Sequence, residues 1–235
     1  DLHSFPTRRS SDLTAAILYG CESWCNVGLK KMEILYASAI KALLGVRITT
    51  ANDLCFVELG YPSLKDLVRH KQVLFFNKMI SERHLMQDDP LMFAIKLTTS
   101  SGTNTGTYLN RLLGVDDVLG QGLEMIRQRV RESDRSKFLM YKQINPTLCI
   151  HDVYTRELKV FVPEYIRVAF TRLRLSAHRL KIETGRWARL PPGQRLCACG
   201  QVQDEPHVIQ WCPLVQHIRE MYGKASMTRS EERRV

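Results

Sequence analysis

The segment Cys197 to Cys212 reads CACGQVQDEPHVIQWC, a C-x-C-x7-H-x4-C array made of Cys197, Cys199, His207 and Cys212. No other stretch restricts the local fold as tightly. Three thiolates and one imidazole are donors that a tetrahedral Zn2+ accepts. Two cysteines one residue apart reach one ion only if the chain turns sharply after them, and Gly200 permits such a turn. His207 and Cys212 lie about one and a half helical turns apart, so they face one centre if the backbone opens near Cys212-Pro213. Four protein ligands leave no open position, which predicts a structural rather than a catalytic ion. Such ions contribute about 10–16 kcal/mol to small fingers, and a piece of this size buries too little apolar surface to fold well alone. The C-x-C opening is tighter than the usual C-x2-C. The competing reading is therefore a set of unrelated cysteines and a surface histidine. His217, five residues past Cys212, is a substitute ligand or, more commonly for such a position, a solvated helix residue.

The other cysteines carry less. Cys21 and Cys25 stand one helical turn apart without a nearby histidine, and Cys55 and Cys149 are isolated, which predicts buried or idle thiols. Seven cysteines in all form no dense framework, so metal ligation is the better use of them in a reducing compartment. No apolar run approaches the ~20 residues of a membrane span, and the start lacks a signal-peptide pattern. The expected location is intracellular, nuclear and/or cytoplasmic, with no membrane partner.

Elsewhere the rhythm is helical. In 28–45, Leu29, Met32, Tyr36, Ala39, Ile40 and Leu43 recur at three- and four-residue steps, and Gly45 follows as a stop. Thr50 with Asp53 resembles a capping box for a short helix through Leu59. Gly60-Tyr61-Pro62 predicts a turn, after which Ser63 caps a long helix to about Gln87. Asp88, Asp89 and Pro90 end that helix and start the next. Residues 98–107, TTSSGTNTGT, predict a loop. A helix around 108–113 and a longer one around 117–141 follow, until Asn145-Pro146. Pro163 opens a helix over 163–180 on which Ile166, Phe170, Leu173, Ala177 and Leu180 share one face. No internal repeat stands out and strand patterns are sparse. The expected fold is all-α, with a small metal-nucleated piece near the C-terminus.

The formal charge of +10 favours polyanionic partners. The densest cations are Arg167, Arg172, Arg174, Arg179, Lys181, Arg186, Arg189 and Arg195, with Glu183 the only acid between Tyr165 and Arg195. Phe170, Trp187 and, beyond, Trp211 interleave with them. Arginines hold phosphates and exposed aromatics stack on unpaired bases. The competing reading is a solvated helix face with core aromatics. It is the better one for Phe170, which sits on the apolar stripe, and the two readings are even for Trp187. A second cluster, Arg127, Arg129, Arg131, Arg135 and Lys137, is diluted by Glu132 and Asp134 and reads as a solvated face.

Both ends resemble translated sequencing adapter. DLHSFPTRRSSDL, residues 1–13, and RSEERRV, residues 229–235, follow from one adapter DNA string and its reverse complement. These ends carry 0 and +1 of the charge, leaving +9 on the body.

Two stretches of that body resemble LINE-type (non-LTR) retrotransposon reverse transcriptases. AILYGCESW, then LKKMEILYASAIKALLGVRITTANDLCFVELGYPSL, is similar to the region after the polymerase fold, through Tyr19, Gly20, Glu22, Trp24, Leu43 to Gly45, and Glu58 to Pro62. RLRLSAHRLKIETGRWARLPPGQRLCACGQVQDEPHVIQWCP is similar to the cysteine-histidine tail of the same polyproteins. The resemblance implies a thumb-like helical region at 14–62, a helical connector at 63–146, a basic helix with a zinc knuckle at 147–220 and a tail at 221–228. It also implies a grip on template RNA and target DNA during target-primed reverse transcription. The polymerase's aromatic-x-Asp-Asp hairpin has no counterpart. Asp88-Asp89 follows Met86-Gln87, Asp116-Asp117 follows Gly114-Val115, and both pairs read as helix caps. The expectation is a non-enzymatic fragment that binds RNA and/or DNA and the rest of its parent polyprotein, with structural Zn2+ and no small-molecule substrate. The alternatives are a zinc-stabilised protein-interaction module and a decayed element without function.

Overall fold

Helices carry most of the residues that the computed structural model describes, 15–23, 29–83, 90–103, 107, 117–154 and 162–221. They are α1 (Leu29–Leu44), α2 (Asn52–Leu59), α3 (Leu64–Arg83), α4 (Pro90–Ser100), α5 (Val118–Glu132), α6 (Ser136–Ile144), α7 (Glu164–Arg174) and α8 (Lys181–Trp187). Among the described residues there is no strand beyond a single isolated bridge. The adapter-like ends, Trp24, Cys25, Asp88-Asp89, Asp116 and the expected helix at 108–113 lie outside the described residues. The chain divides into two compact units, Asp1–Val168 and Ala169–Val235.

In the first unit α2 packs on α5, α3 on α5, and α1 on both α2 and α3. The periodicity of α1 delivers Leu29, Tyr36, Ile40 and Leu44 to the core, while Met32, Ala39 and Leu43 are half-buried. Tyr36 stacks on Phe56 at 5.9 Å between ring centroids. The stop after α1 is as expected, since Gly45 takes φ +66 and a side chain there would crowd Val168. Gly60 also takes φ +66, caps α2 and lies so close to Ile150 that a Cβ would collide with it. Such a φ is open to glycine at little cost.

The Glu-Leu-Gly-x-Pro stretch has a physical role here. Glu58 is fully buried, and its two carboxyl oxygens accept hydrogen bonds from Tyr141 Oη at 2.8 Å and Tyr154 Oη at 2.9 Å. Asn145 Nδ2 donates to Tyr141 Oη at 3.0 Å and to the Cys149 carbonyl at 2.9 Å. One carboxyl group thereby ties α2 to α6 and to the 3-10 turn Asp152–Tyr154. Buried polar groups joined in this way fix a unique packing.

Several local expectations are corrected. The Thr50–Asp53 box does not form: α2 starts without a side-chain cap. Asp53 instead pairs with Arg129 through two hydrogen bonds of 3.1 and 3.0 Å, so a tertiary partner outcompetes the cap. Thr98 to Ser100 belong to α4 rather than to a loop. Their hydroxyls donate back to the carbonyls of Ala94 and Lys96, which lets polar residues finish a helix. The long helix at 117–141 is two, α5 and α6, parted at residues 133–135. The helix expected over 163–180 stops at Arg174, and Ser176 turns to φ +48. Ser63 behaves as read, accepting from the Asp66 N–H at 3.3 Å, and Asp117 caps α5 by accepting from Gly120 N–H at 2.9 Å.

Candidate metal centre

Residues 195–203 of the second unit form a tight hairpin. Leu196 and Val202 make an antiparallel bridge. Cys197 N–H donates to the Gln201 carbonyl at 2.7 Å, and Gln203 N–H donates to that of Arg195 at 2.9 Å. Gly200, at φ +87, makes the turn the cysteine pair needs. Space is not its constraint, because nothing lies within 4 Å of where a Cβ would stand.

The other two ligand residues come from one unusual turn. Asp204 Oδ1 accepts from His207 N–H at 2.8 Å and opens it. His207–Trp211 is then a π-turn, with Cys212 N–H donating to the His207 carbonyl at 2.7 Å. In an α-helix residues five apart point about 140° away from each other. The five-residue hydrogen bond widens the turn and brings His207 and Cys212 round to one side. The opening expected near Cys212-Pro213 is thus spread over the whole turn. Arg219 braces its far end, donating to the Cys212 carbonyl at 2.6 Å and the Val208 carbonyl at 3.3 Å.

Cys197, Cys199, His207 and Cys212 converge, with one ligand atom from each lying within 4.8 Å of all the others. Cys197 Sγ is 3.8 Å from Cys212 Sγ, and Cys199 Sγ is 3.2 Å from His207 Nε2. Three of the four are buried and Cys199 is half-buried. The Cys199 backbone amide, and after it the His207 ring, pulls the Cys197 thiol down to about 6. Cys199 moves the other way: the Gln201 amide lowers it, but burial and the neighbouring sulfurs raise it beyond that. Sulfurs this close cannot all ionise cheaply without a cation among them. The cluster can chelate a metal ion. His217 is exposed and outside it, Cys21 and Cys55 are buried, and Cys149 is exposed.

Sequence reasoning missed the residues around the ligands. Gln203 Nε2 donates to Cys197 Sγ at 3.7 Å. Glu205 is buried and accepts on Oε1 from Ser176 Oγ at 2.9 Å and His178 Nε2 at 2.8 Å. Leu180 N–H donates to His178 Nδ1 at 3.2 Å, so the ring proton sits on Nε2. Burial pushes the Glu205 carboxyl up, but its hydrogen bonds to His178, its own backbone amide and Ser176 outweigh this and leave it below the ordinary value. No spacing rule marks these side chains.

The basic residues divide by environment. Arg167, in the first unit, is buried, with Nη1 3.4 Å from the Leu43 carbonyl and Nη2 3.7 Å from Glu164. Arg174 is buried with its guanidinium 5.3 Å from the Phe170 ring centre. Arg195 is buried and donates to the carbonyls of Leu190 and Ile182. Arg186 is half-buried and pairs with Glu183 at 3.1 Å. Arg172, Arg179, Lys181 and Arg189 are exposed, and Trp187 is 59% exposed.

Among the described residues, fold and cluster together define an all-α protein with a Cys3His cluster near its C-terminus that can hold a metal ion. No family model, curated protein or solved structure matches the chain.

Proposed function

We propose that the chain is a non-catalytic, nucleic-acid-binding fragment of a LINE-type retrotransposon reverse transcriptase, built around a structural Zn2+. In the parent polyprotein it supports RNA-directed DNA synthesis by gripping RNA and/or DNA. The observation that carries this reading is one compact unit holding the thiolate–imidazole cluster together with exposed Arg172, Arg179, Lys181, Arg189 and Trp187.

The donor set fits zinc. Ligands at about 2.3 Å in a tetrahedron stand about 3.8 Å apart, and the Cys197–Cys212 sulfurs are 3.8 Å apart. A bound zinc would supply folding energy and hold the hairpin against the π-turn, while the protein's cations meet phosphates and Trp187 offers a face to an unpaired base. Buried Arg174 and Arg195 then serve the fold rather than the ligand.

A second reading has its own observation. Trp211, Leu214, Ile218 and Met221 are exposed near the cluster's C-terminal side, which suits docking on a protein. Salt separates the two. Fluorescence anisotropy of the full chain with single-stranded RNA and DNA should give affinities that fall steeply as salt rises. Absence of binding at low salt, or affinity indifferent to salt, refutes the nucleic-acid reading.

A further inference from the structure

Helix α8 carries Lys181, Arg186 and Trp187 but is only seven residues long, and its own N-cap residue, Leu180, supplies no side-chain cap. A helix so short does not hold itself in water. Its order comes from outside. Lys181 N–H donates to Gln203 Oε1 at 2.9 Å and Ile182 N–H to the Gln203 carbonyl at 3.1 Å. Gln203 therefore caps α8 from the metal hairpin, and the same side chain donates to Cys197 Sγ. Arg195, two residues before Cys197, ties down the Ile182 and Leu190 carbonyls and lies against Gly185, where a Cβ would come within 2.6 Å of its side chain.

A second tie reaches the segment that leads into α8. Glu205, two residues before His207, takes both Ser176 and His178. Ser176 holds φ +48, a conformation costly for any residue with a Cβ. That turn persists because the Glu205 carboxyl rewards it, and it leads straight to Arg179 and Lys181.

We infer that metal loading positions the basic helix α8, with Gln203 as the principal link and Glu205 as the second. Without the ion, the hairpin that presents Gln203 loses its anchor, and the first amides of α8 lose their cap. With it, Lys181 and Trp187 are held in one arrangement. The metal centre then regulates the nucleic-acid surface as well as stabilising the fold. This regulatory consequence rests on the function proposed above, whereas the ordering of α8 does not.

The test uses the full chain, with Co2+ as the spectroscopic ion and amide exchange read by mass spectrometry over 181–187. In the wild type, adding Co2+ should slow exchange of those amides by about ten-fold or more. In Gln203→Ala, one Co2+ should still bind, about 10- to 100-fold more weakly, but at saturating metal the slowing over 181–187 should shrink markedly while that of 204–212 persists. Gln203→Glu is the second variant: it keeps an acceptor for Lys181 N–H but loses the donor to sulfur, so metal affinity should fall while α8 protection at saturation is regained. Equal α8 exchange with and without metal in the wild type overturns the inference. So does full metal-dependent protection in Gln203→Ala. Loss of the α8 response in Gln203→Glu at saturation counts against the capping link. If metal orders α8 but the loaded chain retains no RNA or DNA, the proposed function fails and the positioning role stands.

Discussion

Replacing Arg179 and Lys181 together by alanine tests the nucleic-acid reading quantitatively. Among the described residues of the second unit, four cations are exposed: Arg172 on α7, and Arg179, Lys181 and Arg189 on or beside α8. If each neutralises one phosphate of a single strand, log K should fall with log[salt] at a slope of about −2.8, roughly −0.7 per contact. Between 50 and 200 mM salt that is a loss of about 50-fold. The double variant keeps two contacts, so its slope should be about −1.4 and its loss about 7-fold. Anisotropy titrations at four salt concentrations resolve the difference. Arg174→Ala is the informative control. Its guanidinium is buried over Phe170, so it should lower the melting temperature and leave the slope alone. An unchanged slope in the double variant, or a flattened one in a folded Arg174→Ala, refutes this division of the arginines.

Two further outcomes concern the first unit. Tyr141→Phe removes a donor to buried Glu58 and an acceptor for Asn145, which should cost about 1–3 kcal/mol. Denaturant unfolding measures it, and a loss below about 0.5 kcal/mol would mean that water replaces the hydroxyl without penalty. Burial pushes the Cys55 thiol up to about 12 from an ordinary value of 9.0. Folding therefore favours the neutral thiol: its contribution is complete below pH 9 and fades as pH rises toward 12. Stability followed across that range should decline, and Cys55→Ala should decline less steeply. Parallel curves would show that this thiol does not titrate as described.

Much of the architecture could be read from residue order because it depends on local chemistry. Gly45 and Gly60 end helices through a backbone angle that the residue itself permits, and Ser63 and Asp117 cap with side chains three residues from their partners. The four clustered ligands were legible for a related reason: their residue types and spacing suit one ion. What escaped notice depends on distant partners. Asp53 meets Arg129, 76 positions away, and abandons the expected cap. The helix after Pro163 stops early because Ser176 and His178 turn inward to Glu205. Arg174 and Arg195 have the composition of a phosphate site and the location of a core, and only burial distinguishes these. The π-turn at His207–Trp211 has no sequence signature beyond the odd five-residue step between two ligands.

X-ray absorption at the zinc edge, on protein purified with zinc and quantified by elemental analysis, addresses the metal centre itself. The expected result is one zinc per chain with three sulfurs at about 2.3 Å and one nitrogen at about 2.0–2.1 Å, falling to two sulfurs or to loss of metal in Cys197→Ser. Coordination by oxygen and nitrogen alone, or a three-sulfur zinc site that survives that substitution, contradicts it.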